Sequence, residues 1–386
     1  MKRDHIYPSE SRTFTDPRTG VVTRQVTNHP SIHHHPFYYL PCMDDAMTRL
    51  FFVSHRTGRP EIWCELRATG EAEQEYPLQR LTDQPDLGEW SVHPSHDGRY
   101  VYFTAGRGAW RADTATGETE CLLDFGGLPD QAEGMVGAAM GTTTLSHDDR
   151  YWAVPVKIGA VFHFIVIDTQ TGRHENILEA RILEAETIGH PEFHPSDNTL
   201  LRYAGSYKER IWVINRDGSG NRLVYDRKPL GKPNQYEWIV HETWNPGRPG
   251  EIITANWPRG CIGIDIVTGA TRPVCSFNAW HPSINRRGSW MCADTTYPDS
   301  GLQIFDPRDG MGTPRALCFP GATNEGKHWN TDHCPYDDED YQQGRWKVYA
   351  PQHTHPHPAF SPDGRFVVYT SDRTGYSQVY EVKIPE

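Results

Sequence analysis

Short apolar-rich runs recur along the chain, each directly after a turn. An apolar run of this length bounded by turn residues predicts a buried β-strand. The second residues of these runs stand at positions 50, 100, 151, 200, 251, 289 and 366, so most intervals are 49 to 51 residues. Such a period is typical of the blades of a β-propeller. The seven runs are Arg49–Val53, Arg99–Phe103, Arg150–Val154, Thr199–Tyr203, Gly250–Thr254, Gly288–Cys292 and Arg365–Tyr369.

Turn residues flank these strands on both sides. Proline followed by Asp-Gly precedes some copies, as in His93–Gly98 and Ser361–Gly364, and this combination closes a hairpin. After some copies an alternating strand ends in Asp and then Thr-Gly, as in Asp113–Gly117, Asp168–Gly172 and Asp265–Gly269. This second pattern predicts the hairpin between the two outer strands of a blade.

The outer-hairpin pattern also occurs at Phe14–Val22, before any inner strand has appeared. The last repeat, conversely, ends at Gln378–Val382 without an outer hairpin. We therefore predict an all-β fold, with residues 1–386 forming a single seven-bladed β-propeller domain. The N-terminal strand would complete the last blade and so protect the sheet edges. An eight-bladed ring is the main alternative.

Two intervals depart from the period. The fifth and sixth copies are 38 residues apart, which suggests a trimmed blade, and the sixth and seventh are 77 apart. The excess lies at residues 313–349 and includes the acidic run Asp337–Asp340. Because long insertions in compact repeat proteins often serve function, we predict an inserted flap beside a site before the last blade. A solvated loop without a role is the alternative.

Composition restricts the partners and the compartment. A net charge of −12 argues against nucleic acid or an anionic membrane as a partner, and an anionic substrate would need a local basic pocket. The eight cysteines include no CxxC pair, so we expect them to be reduced in a cytoplasmic protein. The start of the chain, Met1–His5, lacks the apolar core of a secretory signal. No run reaches the roughly 18 apolar residues that span a membrane. The sequence leaves the oligomeric state open.

Candidate metal ligands are concentrated just before the last repeat, at Gln352, His355 and His357. Pro356 and Pro358 keep this stretch extended, so several side chains can point into one space. Imidazole nitrogens with an amide oxygen suit Mn, Fe or Zn better than Ca. A histidine-rich loop without a metal is the alternative.

Other histidines precede inner strands, where a propeller opens on its channel. We expect His281 to be a fourth ligand and His241, one blade earlier, to be a base. A hydrogen-bonded His-Pro turn is the alternative for either residue. Arg210 begins an alternating strand and could reach a carboxylate, although a surface salt bridge would explain it equally. Further histidines at such positions are His33, His34, His35 and His190.

The chain resembles the oligogalacturonate lyases, a family of seven-bladed lyases that act on pectin fragments. The resemblance covers most of the chain and is carried by Gln352–Asp363, Val368–Arg373, Gly189–Pro191, Arg210–Gly218 and His241–Trp244, and more loosely by the surroundings of His281. The resemblance implies manganese held by His281, Gln352, His355 and His357, His241 as base, and Arg210 assisting at the substrate. The chain departs from the family at His33–Pro36 and in the acidic insertion. These departures bear on the identity of the substrate more than on the type of reaction.

The implied reaction is β-elimination at a uronic acid in a short oligogalacturonide, giving a 4,5-unsaturated product. A lyase or epimerase for another uronate, such as glucuronate linked to rhamnose, and a non-enzymatic binding propeller are the alternatives. A propeller-type peptidase is excluded because the chain lacks a Gly-x-Ser-x-Gly elbow and has no residues left for a hydrolase domain.

Overall fold

Seven antiparallel β-sheets form a ring in the computed structural model, which describes residues 5–67, 75–126, 141–159, 161–181, 188–308, 313–323, 331–343, 345 and 354–385. Each sheet is one blade whose strands follow one another outward from the central channel in chain order, and N-terminal strands are added at the rims of blades one and seven. The predicted all-β, seven-bladed β-propeller is therefore confirmed. None of the described helices is long and apolar enough to cross a membrane.

The blades follow one another in chain order. Blade one comprises His33–His34, Arg49–Ser54, Glu61–Leu66 and Leu78–Arg80; blade two His93–Pro94, Tyr100–Ala105, Gly108–Asp113 and Thr119–Asp124; blade three Thr144–Leu145, Tyr151–Ile158, Val161–Asp168 and His174–Arg181; blade four Gly189–His194, Asp197–Ala204, Ile211–Asn215 and Arg222–Tyr225. Blade five comprises Trp238–Trp244, Glu251–Trp257, Cys261–Asp265 and Thr271–Cys275; blade six Ala279–Ile284, Met291–Thr295, Leu302–Phe305 and Arg315–Cys318; blade seven Ala359–Phe360, Phe366–Ser371 and Gln378–Lys383. Short helical turns cover Glu89–Ser91, Pro335–Asp337 and Glu339–Gln342.

The hydrophobic core lies between neighbouring blades. Phe51 and Val53 of blade one, for example, share one buried cluster with Val101 and Phe103 of blade two. The apolar runs that the sequence assigned to the innermost strands are the second strands of the blades, and a short strand before each run lies nearer the channel. Both faces of these second strands are covered by the neighbouring blades, which explains why the runs are apolar at successive positions instead of alternating. No blade can bury its two faces alone, so the blades stabilise one another.

The N-terminal segment closes the ring. Arg12–Thr15 pairs with Val22–Gln25, which pairs with Gln378–Lys383 of blade seven, as the sequence predicted. The chain upstream also contributes to blade one, because Ile6–Tyr7 pairs with Leu78–Arg80. The first residues of the chain therefore bridge the last blade and the first.

The expectation of a trimmed blade was wrong. The fifth and sixth blades each have four strands. The interval is short because the connections are short, and residues 276–278 alone join the two blades.

The insertion is described in part. Arg315–Cys318, within the predicted range 313–349, forms the outer strand of blade six, so the segment outside the blades begins after Cys318. Beyond it, Asp337 accepts hydrogen bonds from both terminal nitrogens of Arg227 at 2.7 and 3.0 Å, which attaches the insertion near blade four. Its role as a flap stays a prediction. Residues 324–330, 344 and 346–350 lie outside the described residues.

A buried ion network reinforces the closure. Glu381 of blade seven accepts hydrogen bonds from Arg67 at 2.9 and 3.0 Å and from Arg24 of the N-terminal strand at 3.3 Å. Glu65 of blade one also pairs with both arginines. Burial opposes ionisation of Glu381, but the charges and hydrogen bonds of Arg67 and Arg24 prevail and lower its pKa. The network joins the two ends of the chain to blade one.

We expect Glu381→Gln to lower the free energy of unfolding by about 3–5 kcal/mol at neutral pH, because it leaves Arg67 buried with an incomplete set of partners. The stabilisation is present above the ordinary carboxyl pKa of 4.5 and is lost as pH falls through the lowered value. The difference in unfolding free energy between the wild type and Glu381→Gln should therefore become smaller as the pH falls. Denaturant unfolding monitored by tryptophan fluorescence measures both effects.

Asp124→Asn is the matched control, since its partnership with Arg107 is exposed on both sides. An equal loss of stability in both variants would contradict the role given to the closure network.

Candidate metal centre

Three buried imidazoles converge at one mouth of the channel. His281, His355 and His357 place one ring nitrogen each within 4.8 Å of the others. His281 belongs to the inner strand of blade six, and the other two precede the inner strand of blade seven. The ring centroid of His281 lies 5.2 Å from that of His355 and 4.1 Å from that of His357. The fourth expected ligand, Gln352, lies outside the described residues.

The same backbone irregularity brings histidines into the channel in three consecutive blades. In each inner strand two residues oppose one residue of the neighbouring strand, and the bulge contains His190, His241 or His281. Bulges of this kind re-aim side chains next to functional sites.

Two of these bulges also contain a strained backbone. His190 and His241 have φ of 47° and 55°, and His357 in blade seven has φ of 49°. The left-handed region costs a non-glycine residue about 1–3 kcal/mol and persists only where the surroundings enforce it. The strained backbone that directs these rings toward the axis therefore lowers the stability of the fold.

A buried carboxylate orients His281. Asp294 stands opposite the bulge and accepts hydrogen bonds from the backbone N–H and Nδ1 of His281, both at 2.7 Å. Because Nδ1 is occupied, Nε2 is the nitrogen left for a cation. The buried Nε2 of His357 makes no hydrogen bond with any described residue. Borderline imidazole donors, an orienting carboxylate and an orphaned buried nitrogen together fit a divalent transition metal.

His241 lies beside this group without belonging to it. Its ring centroid is 4.1 Å from that of His281, and its buried Nδ1 has no hydrogen-bond partner within the described part of the chain. Burial, followed by the electrostatic effects of His281 and Arg210, holds the pKa of His241 well below its usual range. A neutral imidazole with a bare nitrogen can accept a proton.

Arg210 reaches the same region and is not a surface ion pair. Its Nε donates to Glu242 at 3.2 Å, and the Glu242 side chain is fully buried whereas that of Arg210 is 16% exposed. The Nη groups of Arg210 make no hydrogen bond with described residues, so they remain able to bind a carboxylate.

Sequence reasoning missed the residue that supports this arrangement. Arg202 is fully buried, pairs with Glu192 at 2.6 Å and lies 3.6 Å from Glu242. It also donates to the carbonyl oxygen of His190 at 2.7 Å, which holds the strained bulge of blade four. The only signal in the sequence is an arginine at a position of the recurring strand that is apolar in most other copies.

Sequence reasoning also missed the floor of the site. Phe37 is buried, and its ring centroid lies between 4.9 and 6.4 Å from those of four histidines of the channel: His190, His241, His281 and His357. Tyr38 donates through its hydroxyl to the Glu242 carbonyl at 2.8 Å. The apolar run after His35 could have indicated this floor, because the run matches none of the strand repeats.

The histidines of the first blade are not ligands of the group. His35 is bonded through Nδ1 to Thr370 at 2.8 Å and through Nε2 to the carbonyl oxygen of His357 at 2.7 Å, so it supports the His357 backbone. Burial lowers the pKa of His35 to about 3. His34 turns to Glu89 instead, at 3.0 Å.

The channel mouth of this seven-bladed propeller carries a group of three imidazoles, a neutral histidine and an arginine. These residues define the class of the protein as a propeller enzyme with a candidate metal site and a candidate acid–base residue. The sequence profile of the family described as oligogalacturonate lyase matches residues 150–386, more than half of the chain. The chain belongs to the oligogalacturonate lyase family, a family of polysaccharide lyases.

Two individual relatives can be aligned with this chain over nearly their whole length. An oligogalacturonate lyase of Dickeya dadantii is 25% identical over 97% of this chain and 96% of the relative. An oligogalacturonide lyase of Pectobacterium atrosepticum is 24% identical over 100% of this chain and 99% of the relative.

Two solved structures share the fold. One is described as oligogalacturonate lyase in complex with manganese, with a TM-score of 0.75 and 21% identity over 99% of this chain and 98% of that one. The other is an oligogalacturonate lyase from Vibrio parahaemolyticus, with a TM-score of 0.75 and 19% identity over the same shares of the two chains.

We expect Asp294→Asn to weaken Mn²⁺ binding about 10–100-fold, because the amide no longer fixes the ring and tautomer of His281. Electron paramagnetic resonance of free Mn²⁺ during titration measures the affinity. Asp306→Asn in the same blade, an exposed turn carboxylate paired with Arg308, should bind like wild type. Equal affinity in the wild type and Asp294→Asn would contradict the orienting role.

Proposed function

We propose that this protein is a metal-dependent lyase that cleaves short oligogalacturonides by β-elimination and releases 4,5-unsaturated uronate products. The observation that carries the proposal is the neutral His241 ring beside the group His281, His355 and His357. An acceptor for a proton next to a binding position for a carboxylate is the arrangement that elimination at a uronate requires. Membership of the lyase family supports the same reaction.

The proposed metal is Mn²⁺, with Fe²⁺ or Zn²⁺ as the chemically similar choices. His281, His355 and His357 would hold it together with Gln352. The manganese complex among the structural relatives supports this choice. When bound, the ion would act as a Lewis acid on the uronate carboxylate and stabilise the charge that develops there.

In this proposal His241 removes the proton on C5, which is alpha to the carboxylate. Its burial keeps the pKa of the imidazole low, so the ring is neutral before the reaction. The strained backbone fixes the position of the ring, so little reorganisation precedes proton transfer. The bond between C4 and the glycosidic oxygen then breaks as the C4–C5 double bond forms, and the departing oxygen takes up a proton from water or from the protonated His241 to leave as a hydroxyl.

Arg210 would bind a carboxylate of the substrate through its Nη groups while Glu242 holds its Nε. A planar guanidinium pairs bidentately with a carboxylate, which fixes the orientation of the sugar. This local cation resolves the conflict between an anionic substrate and a protein with a net charge of −12.

We also propose a cytoplasmic location. All eight cysteines are free thiols, and seven of them are buried, which supports a reducing compartment.

We expect His241→Ala to lower kcat on digalacturonate by about 10²–10⁴-fold, because the general base is lost. Ultraviolet absorbance of the C4–C5 double bond measures turnover, and Mn²⁺ titration should give wild-type affinity. Native turnover in this variant would place the base elsewhere. Formation of an epimer without the double bond in the wild type would indicate an epimerase instead.

We expect His355→Ala to lose both bound metal and lyase activity, because it removes one of three converging imidazoles. Metal analysis of the purified protein, before and after a chelator and Mn²⁺ restoration, measures the first effect. His163→Ala, which changes a histidine on the third strand of blade three, is the control. Full metal content in the His355 variant would contradict the ligand assignment.

A further inference from the structure

A second polar group lies next to the metal centre on blades one and two. His34 ends the inner strand of blade one, His55 follows the second strand, and Glu89 and Trp90 lie in the helical turn Glu89–Ser91 before blade two. The ring centroid of Trp90 is 4.3 Å from that of His34 and 5.5 Å from that of His357. The Trp90 ring therefore bridges the two groups, and the carboxylate of Glu89 is a neighbour of the metal centre instead of a part of it.

One oxygen of Glu89 is occupied and the other is available. Oε2 accepts hydrogen bonds from Nε2 of His34 at 3.0 Å and from Nε2 of His55 at 2.7 Å. Oε1 makes no hydrogen bond with described residues, and the side chain is 31% exposed. Burial opposes ionisation of Glu89, but the hydrogen bonds from the two histidines prevail and lower its pKa to about 2. The group thus presents an ionised acceptor to the channel mouth.

Both histidines direct Nε2 to this carboxylate. His34 directs Nδ1 to the carbonyl oxygen of His35 at 3.1 Å and Nε2 to Glu89, so both of its ring nitrogens face acceptors. His55 commits its Nε2 to the same carboxylate oxygen. A ligand that approaches Oε1 of Glu89 must therefore bring its own hydrogen-bond donors.

We propose that Glu89, held by His34 and His55 and flanked by Trp90, is the specificity-determining residue for the sugar linked to the metal-bound uronate. Oε1 accepts hydrogen bonds from hydroxyls of that sugar, and the partly exposed Trp90 forms a wall of the same subsite. A second carboxylate at this position would meet the like charge of Glu89. The subsite consequently selects the neighbouring sugar by its hydroxyls and requires the carboxylate of that sugar to point away from Glu89. This inference rests on the proposed function, since it presumes a uronate on the metal.

The test compares a one-sugar ligand with two-sugar ligands. Calorimetry is performed with Mn²⁺ present and in the His241→Ala background, so that substrate is not consumed. It gives affinities for three ligands: galacturonate, digalacturonate and a reduced disaccharide, in which the carboxyl of the non-reacting sugar of digalacturonate is reduced to an alcohol. We expect Glu89→Ala to weaken binding of both disaccharides about tenfold, the scale of one hydrogen bond to a charged group, and to leave galacturonate unchanged. Reduction of that carboxyl should not change the effect of Glu89→Ala, because the carboxyl points away from Glu89, and Glu89→Gln should weaken binding of both disaccharides in the same direction, because the charge of the acceptor is lost.

Asp149→Asn is the control for a lost carboxylate–histidine pair. Asp149 is bonded to His96 at 2.6 Å and is 20% exposed, and it lies in the turn between the first two strands of blade three. Unchanged disaccharide affinity in both Glu89 variants, or an equal loss for galacturonate, would overturn the subsite. Failure of the parent protein to bind either galacturonate or digalacturonate would instead overturn the proposed function, and the subsite with it.

Discussion

Closure of the ring is the constraint on which the rest of this structure depends. Each blade buries its faces only against its neighbours, so the stability of every sheet requires that the last blade meet the first. Pairing of Val22–Gln25 with Gln378–Lys383 achieves this with backbone hydrogen bonds. The network of Arg24, Arg67 and Glu381 adds ion pairs at the same seam. The metal centre depends on this seam because His357 and His35 come from the two blades that meet there.

A rigid ring permits strain that an isolated sheet could not hold. The bulges with His190, His241 and His281 lie at the same level in adjacent blades and direct imidazoles to one space. Two buried features maintain them, namely the Arg202 hydrogen bond to the backbone of His190 and the Asp294 carboxylate opposite His281. The supporting residues are therefore as specific to the site as the histidines themselves.

The mouth of the channel separates two kinds of polar chemistry. On the side of blades five to seven, imidazoles are buried and close together, and burial holds the pKa values of His241 and His357 well below their usual range, which suits metal binding and proton removal. On the side of blades one and two, Glu89 is ionised and partly exposed. Trp90 and Phe37 lie between the two sides and keep them apart. This asymmetry would orient an oligosaccharide that has one uronate to be activated and one sugar to be recognised.

The sequence by itself determined the repeat, the strand positions, the closure and the histidines that approach the axis, because strand periodicity and turn chemistry are local properties of the chain. It misjudged the short interval before blade six, since loop length and strand number have the same effect on spacing. The tertiary structure alone decided how the polar residues pair. From the sequence alone, Arg202 is one more strand residue, Glu89 is a loop carboxylate and Phe37 is a core residue. Their partners lie on other blades, so no local sequence pattern indicates the contacts that they make. Distance along the chain carries no information about which side chains meet across a closed ring.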